Sequence, residues 1–103
     1  LIATFLAKHH VMSLATTDCH SLGCCGLFYY FDLQSLSFVV ASSDETNHIK
    51  NIKQSPKVAG NILLETDVIT KIQGVQFSAE MSCLEDNRLK LLYFKRFPYA
   101  LAL

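Results

Sequence analysis

Apolar and polar residues alternate along much of this chain in short runs that predict strands. Val11 to Thr17 alternates between two faces, and aromatic residues crowd the segment from Cys24 to Asp32. Turn-forming residues separate these segments from each other and from a third apolar run, Leu36 to Ala41. Because the connections are so short, we expect the three strands to form an antiparallel meander.

The second half of the chain predicts two more strands. Val58 to Leu64 forms one, and the alternating run from Val68 to Leu84 forms a long one with a bulge or corner at Gly74. Helical spacing of apolar residues predicts a short helix that includes Ile2 and Leu6 and ends near Lys8, and two further helices at Asp44 to Gln54 and Asp86 to Phe97. Thr46 or Asp44 can cap the second helix. The expected order is helix, three strands, helix, two strands, helix.

This order indicates a mainly β fold with flanking helices, in a single domain over residues 1–103. Five strands, two or three short helices and an aromatic second strand favour a small β-barrel. Half of the residues are hydrophobic and 17% are charged, which is more apolar than a solitary small domain needs. We therefore expect a homodimer. The apolar tail after Pro98 indicates that closing strands follow Leu103, or that the tail packs on a neighbour.

Charge and hydropathy argue against nucleic acid and membrane as partners. The nine basic and nine acidic residues cancel and form no basic stripe. Lys90, Lys95 and Arg96 are interpreted as the solvated face and last turn of a helix. No apolar run approaches the roughly 20 residues that span a membrane, so a cytoplasmic protein is the simplest interpretation.

The four cysteines raise the question of a metal site. Cys24 and Cys25 point to opposite faces if they lie on a strand, and no CxxC pair occurs. We therefore predict no metal site and interpret the cysteines, with Cys19 and Cys83, as reduced and mostly buried.

The junction between the third strand and the next helix is the candidate binding site. Hydroxyl, amide and imidazole groups are concentrated there, on Ser42, Ser43, Thr46, Asn47 and His48. The first turn of a helix leaves backbone N–H groups unpaired, and such groups attract phosphate. The sequence therefore predicts a phosphorylated ligand at this junction.

Five blocks of residues follow one another in an informative order and together span nearly the whole chain. They are His9 to Thr17, Phe28 to Asp32, Thr46 to Pro56, Gly74 to Phe77, and Arg96 to Ala100. In this order they resemble the FMN-binding split-barrel superfamily of pyridoxamine-phosphate-oxidase-like proteins, and within it the YhbP-like proteins. The resemblance implies a split barrel, a homodimer, and FMN in the groove between the subunits.

In that superfamily a hydroxyl residue and an Arg–Lys pair commonly hold the flavin phosphate at the strand-to-helix junction. The resemblance places Thr46 at the hydroxyl position, Asn47 at the Arg position and His48 at the Lys position. Two permanent cations are thus replaced by an amide and a titratable imidazole, which removes charge-assisted hydrogen bonds to the phosphate. We expect lower affinity for FMN, partly restored when His48 is protonated.

The resemblance also implies where the flavin ring lies. Leu27, Phe28 and Tyr29 are candidates to line the isoalloxazine, and Gln76 is a candidate to meet its edge from the facing subunit. The alternative is that the aromatic residues belong to the core and the dimer interface, with Gln76 as an ordinary outward polar residue.

Three functions stay open from the sequence. The first is a dimeric FMN-binding protein that acts as a flavin-dependent oxidoreductase. No general acid or base can be named for it, because the sequence shows no Ser/His/Asp set, paired carboxylates or reactive-cysteine context. Asp18, Asp32 and Asp67 are interpreted as turn formers. The second is a non-enzymatic binding module for haem or another planar ligand, with His9, His10 or His20 as axial ligand. The third is a split-barrel dimer that has lost its cofactor.

Overall fold

The computed structural model describes residues 2–83 and 86–99, which form a mixed α/β fold with antiparallel strands. Residues 100–103 of the predicted apolar tail, which begins at Tyr99, and the predicted strand end at Leu84 lie outside the described residues. The elements are α1 (Ile2–Lys8), β1 (Val11–Thr17), β2 (Leu22–Phe28), β3 (Tyr30–Asp32), β4 (Ser37–Val39), α2 (Asn47–Gln54), β5 (Lys57–Leu63), a 3-10 helix (Ile69–Lys71), β6 (Gly74–Glu80) and α3 (Asn87–Arg96).

Two separate sheets contain the described strands. The larger sheet has the order β2-β1-β5-β6, so that β1 and β5 are its central strands. β3 and β4 form a two-stranded hairpin. Both antiparallel pairings of the predicted meander occur, but in different sheets: β1 pairs with β2, and β4 pairs with β3, which is the end of the second predicted strand. The pairing of β1 with β5 was not predicted. Within the described residues, no strand pairing joins the two sheets into a closed barrel.

Two strands that were predicted to be continuous are interrupted. The strand predicted from Cys24 to Asp32 breaks at Tyr29, whose side chain turns into the core and is 1% exposed. The strand predicted from Val68 to Leu84 begins only at Gly74. The N–H of Leu64 donates to the carbonyl of Gln73 over 2.8 Å, which closes the β5–β6 hairpin and leaves residues 65–72 as its loop. Gly74 therefore begins a strand instead of bending one.

The core lies on the inner face of the larger sheet. On β1, Met12, Leu14 and Thr16 are buried and alternate with outward-facing residues, as the sequence pattern predicts. Helix α2 buries Ile49 and Ile52, whose spacing of three places them on one side of the helix. The same core cluster includes Leu6, Tyr29, Val58 and Ile62.

A buried carboxylate links the β3–β4 hairpin to α3. Asp32 is 3% exposed and accepts hydrogen bonds from the Arg88 guanidinium at 2.8 and 3.4 Å. The Ser35 N–H donates to the same carboxylate over 3.1 Å, and the Ser35 hydroxyl also donates to it. Asp32 thus forms a turn, as predicted. The hydrogen bonds from Arg88, followed by those from Ser35, lower the pKa of Asp32 to about 2.

We expect acid to destabilise the protein through this carboxylate. The pKa of Asp32 is about 2 in the folded chain and about 3.9 in an unfolded one, so the unfolded chain binds the proton first as the pH falls. The free energy of unfolding should therefore decrease from about pH 4 to about pH 2, and Arg88→Met should reduce this decrease. Urea unfolding at several pH values measures the effect, with Lys90→Met on the same helix as the control. An unchanged pH dependence in Arg88→Met would contradict the assignment.

Three of the four cysteines are exposed, so the prediction that they are mostly buried is wrong. Cys19 lies in the β1–β2 turn and Cys83 follows β6, while Cys24 and Cys25 alternate on β2, which turns Cys24 outward. In residues 2–83 and 86–99, no group of three or more His, Cys, Asp or Glu side chains is arranged to hold a metal ion. Across the same ranges no helix has the length and apolar character that a membrane crossing requires.

Candidate functional site

The outward side of the larger sheet is open and carries mostly small side chains. Strand register places Ser13 between Gly26 and Asn61, with Gln76 next to Asn61. A shallow depression of about 460 Å³ lies along this side. We name these two rows of residues the outer face: Gly26, Ser13, Asn61 and Gln76, and the adjacent Cys24, Ala15, Ala59 and Ser78.

The sheet beneath the depression is tightly packed at Gly60, the inward-facing residue of β5 between Ala59 and Asn61. A Cβ atom added to Gly60 would lie 2.5 Å from the carbonyl oxygen of Ser13 and 2.5 Å from the ring of Phe77. A glycine is therefore required for β1, β5 and the Phe77 side chain to approach one another this closely.

Aromatic side chains border the outer face where β1 begins and β2 ends. Phe28 is 53% exposed and is paired in register with Val11. The His10 imidazole stacks on Phe28, with ring centroids 5.8 Å apart and ring planes at 7°. Phe28 also contacts Phe97, with 5.4 Å between ring centroids. We name His10, Phe28 and Phe97 the aromatic shelf.

The aromatic shelf is attached to the core through Tyr29. The Tyr29 N–H donates to the carbonyl of His10 over 2.9 Å, and the Tyr29 hydroxyl donates to the carbonyl of Leu6 over 2.7 Å. Burial raises the pKa of Tyr29 to about 12, so this hydroxyl keeps its proton and remains a donor. The backbone of His10 is thereby held against a buried side chain.

A cation lies at the far side of the aromatic shelf. The guanidinium of Arg96, the last residue of α3, lies 5.8 Å from the centroid of the Phe97 ring. It donates to the carbonyl of Ala7 over 3.2 Å and is otherwise exposed. Lys90, Lys95 and Arg96 are all exposed on α3, which confirms that they form a solvated face.

The predicted phosphate junction folds into a cluster of polar side chains. The Nε2 atom of His48 lies 2.6 Å from the Ser42 hydroxyl and 3.3 Å from the Thr46 hydroxyl. Thr46 is the N-cap residue of α2, yet its hydroxyl donates to the carbonyl of Ser43 over 2.8 Å and makes no capping hydrogen bond. We name Ser42, Thr46 and His48 the hydroxyl–imidazole cluster.

Two properties of this cluster determine how it can bind an anion. Because the Thr46 hydroxyl does not cap the helix, it leaves the first-turn N–H groups of α2 to other acceptors. Burial lowers the pKa of His48 below its usual value of 6.5, so the imidazole is mostly neutral at pH 7. The cluster therefore offers dipoles and hydrogen-bond donors, but little positive charge.

The residues predicted from the sequence lie in four places. Gln76 lines the depression on the outer face, and Phe28 belongs to the aromatic shelf. Leu27 packs against the core and Tyr29 lies within it, which favours the core alternative for Tyr29. The junction brings together the remaining candidates, of which Thr46 and His48 are half-buried and the others exposed: Ser42, Ser43, Thr46, Asn47 and His48.

Sequence reasoning missed most of the outer face. Ser13 and Ala15 alternate with the buried Met12 and Leu14, so the strand pattern shows that they point outward. Nothing in the pattern shows that β5 pairs with β1, which is what brings Ala59 beside Ala15. Small side chains do not indicate a binding site in the sequence, and they form a continuous surface only because β1 and β5 pair.

Comparisons with known proteins decide the family. A UPF0306 protein of Enterobacter sp. (strain 638) is 37% identical over an aligned stretch of 105 residues, and the alignment covers 99% of this chain and 74% of that protein. UPF0306 protein YhbP of Salmonella arizonae is 33% identical over 102 residues, which cover 96% of this chain and 69% of that protein. The chain belongs to the UPF0306 family. The resemblance to YhbP-like proteins is therefore confirmed, whereas no family model matches the chain.

The fold of this UPF0306 chain matches the crystal structure of HutZ, the heme storage protein from Vibrio cholerae. The TM-score is 0.83 at 16% sequence identity, and the match covers 98% of this chain and 76% of HutZ. A second solved structure matches with a TM-score of 0.79 at 13% identity, over 96% of this chain. These matches show that the chain shares the fold of HutZ, in agreement with the split-barrel prediction. The predicted mainly β class is corrected to mixed α/β, and the described residues show no barrel closure.

Proposed function

We propose that this UPF0306 protein is a homodimeric binding module for a planar cofactor, and that haem is that cofactor. The observation that carries the proposal is the outer face, a sheet surface of small side chains with a depression of about 460 Å³. Such a surface admits a large planar molecule, and the aromatic shelf beside it supplies apolar contact. The shared fold with HutZ, a heme storage protein, supports the same class of ligand.

A second copy of the chain would complete the site. Ligand pockets usually bury 70% or more of a small molecule, which an open depression on one sheet does not achieve. Val11, Phe28 and Leu63 lie at one end of the same side of the sheet and are 48%, 53% and 54% exposed. Apolar surface of this kind is typical of protein interfaces. We therefore place the partner on the outer face, with the cofactor between the two subunits.

Charge favours haem over FMN at this protein. The phosphate of FMN is a dianion. The junction that would hold it has Asn47 and a mostly neutral His48 at the positions where an Arg and a Lys commonly hold the phosphate. Haem depends instead on apolar contact with its ring and on a side-chain ligand for its iron. The outer face and the aromatic shelf fit those needs better than the hydroxyl–imidazole cluster fits a phosphate.

Absorbance titration of the purified protein with hemin, and separately with FMN, tests the proposal. We expect a saturable Soret band with hemin, and FMN that is lost on dialysis at pH 7. Sedimentation velocity on the same samples gives the oligomeric state, which should be a dimer. Retained FMN with no response to hemin would contradict the proposal and make FMN the cofactor instead of haem. No response to either ligand would leave a dimer without cofactor.

FMN is a second candidate, which the hydroxyl–imidazole cluster supports. The Ser42 and Thr46 hydroxyl groups lie together with the first turn of α2. A protonated His48 would add a positive charge beside the phosphate. Because the pKa of His48 is lowered, FMN binding should tighten only as the pH falls below 6.5. A pH-independent affinity would exclude His48 as a phosphate ligand.

Restoring the cations should strengthen FMN binding. We expect Asn47→Arg combined with His48→Lys to tighten FMN by at least about tenfold to a hundredfold at pH 7, since even one charge-assisted hydrogen bond contributes about 1.5–3 kcal/mol. Thr46→Ala combined with His48→Ala should remove any remaining affinity without unfolding the protein. Quenching of FMN fluorescence measures both effects. Gln54→Arg, at the exposed other end of α2, is the control, and equal tightening by it would show a non-specific charge effect.

A further inference from the structure

The aromatic shelf and the cation beside it form a row of contacting groups whose chemistry matches that of haem. Resting on the proposed function, we infer that His10 ligates the haem iron and that Arg96 pairs with a haem propionate. The row runs from His10 to Phe28 at 5.8 Å between ring centroids, from Phe28 to Phe97 at 5.4 Å, and from Phe97 to the Arg96 guanidinium at 5.8 Å.

His10 is the histidine that the structure presents beside the outer face. His9 is half-buried, and its ring contacts Phe5 with 4.2 Å between centroids. The His48 ring is engaged with Ser42 and Thr46 in the hydroxyl–imidazole cluster. His20 lies in the β1–β2 turn, at the opposite end of these strands from Phe28. His10 is exposed and stacks on Phe28, so its imidazole is available to a ligand at the shelf.

The position of His10 is fixed before any ligand arrives. Its carbonyl accepts the Tyr29 N–H over 2.9 Å, and Tyr29 is 1% exposed, so the backbone at His10 is tied to the core. The near-parallel stacking on Phe28, at 7° between ring planes, supports the orientation of the ring. A metal ligand held in this way loses little conformational freedom on binding.

Arg96 supplies the group that a propionate needs. A guanidinium has five N–H donors in a planar fork that fits a carboxylate, and the hydrogen bond to Ala7 uses one of them. Phe28 and Phe97 lie between Arg96 and His10. Haem has its iron at the centre of an apolar ring and its carboxylates at one edge of that ring. A metal ligand, then an apolar surface, then a cation therefore match haem from its centre to that edge.

Hemin titration of the wild-type protein, His10→Ala and His20→Ala tests the iron ligand. We expect His10→Ala to weaken hemin binding by about tenfold or more and to shift the Soret band, while His20→Ala matches the wild type. Added imidazole should restore the wild-type band in His10→Ala, which a merely structural role of His10 would not predict. A wild-type protein without a hemin response would overturn the proposed function itself. Normal hemin binding with an unshifted band in His10→Ala would overturn only the ligand assignment.

Iron-free protoporphyrin IX separates the roles of the two residues. Quenching of its fluorescence should show the same affinity in His10→Ala as in the wild type, because no iron is present to be ligated. Arg96→Ala should weaken binding of both hemin and protoporphyrin IX by about tenfold, the value of one charge-assisted hydrogen bond. Lys95→Ala, which removes a neighbouring exposed cation, is the matched control. Equal losses in Arg96→Ala and Lys95→Ala would overturn the propionate assignment.

Discussion

Gly60→Ala should strongly destabilise the protein. The added methyl group would lie 2.5 Å from the backbone oxygen of Ser13 and 2.5 Å from the Phe77 ring. Ser13 belongs to β1, which pairs with β5 at Ser13–Asn61, Leu14–Gly60 and Ala15–Ala59, so its carbonyl cannot withdraw without loss of that pairing. We expect a loss of about 3 kcal/mol or more, a large share of the roughly 5–15 kcal/mol that stabilises a domain.

Urea unfolding followed by circular dichroism measures this loss, with Gly26→Ala as the control. A Cβ atom at Gly26 meets nothing nearer than the Met12 carbonyl oxygen at 3.9 Å, so that variant should stay within about 0.5 kcal/mol of the wild type. Adding Phe77→Leu to Gly60→Ala should not rescue the fold, because the contact with the Ser13 backbone remains. Wild-type stability of Gly60→Ala would show that β1 and β5 are not this close.

Ala59→Glu should abolish both dimerisation and hemin binding while leaving the fold intact. Ala59 is exposed on the outer face and lies in register between Ala15 and Ser78. In the proposed dimer the new carboxylate would be buried without a partner, which costs about 3–5 kcal/mol. The dissociation constant of the dimer should therefore rise by about a hundredfold or more.

Sedimentation velocity and hemin absorbance measure the two effects of Ala59→Glu. Lys53→Glu is the control, because Lys53 lies on the exposed side of α2 and the substitution changes the charge even more. It should dimerise and bind hemin as the wild type does. A dimeric Ala59→Glu variant would place the partner elsewhere on the molecule, and the outer face would then lose its proposed role.

The sequence predicted well those features that depend on neighbouring residues. Alternation on β1 identified Met12 and Leu14 as one face, and this face is the buried one. Helical character was predicted from Asp44, with Thr46 or Asp44 as the N-cap, and α2 begins at Asn47 with Thr46 as its N-cap residue. The N–H of Thr46 donates to the carbonyl of Ser43 over 3.1 Å and closes a turn before the helix. The error is confined to the boundary, where side-chain and backbone hydrogen bonds compete.

The errors concern contacts between distant segments. Tyr29 interrupts its strand because its hydroxyl reaches Leu6 on α1, and no pattern within the strand shows this contact. The pairing of β1 with β5 likewise joins segments that lie far apart in the chain. The junction residues were found because hydroxyl and imidazole groups are visible in the sequence. The outer face was missed because it consists of small side chains from different strands, which only the assembled sheet brings together.

Helix α3 has a looser attachment than the rest of the domain. Its buried residues, Leu89 and Tyr93, lie outside the main core cluster, and the ion pair from Arg88 to Asp32 fastens its first turn to the hairpin. Severing that ion pair would let α3 detach as a separate cooperative unit before the large sheet melts. Amide protons of the helix would then exchange with solvent ahead of those in β1 and β5, and Arg96 and Phe97 would leave the proposed haem site together with the helix.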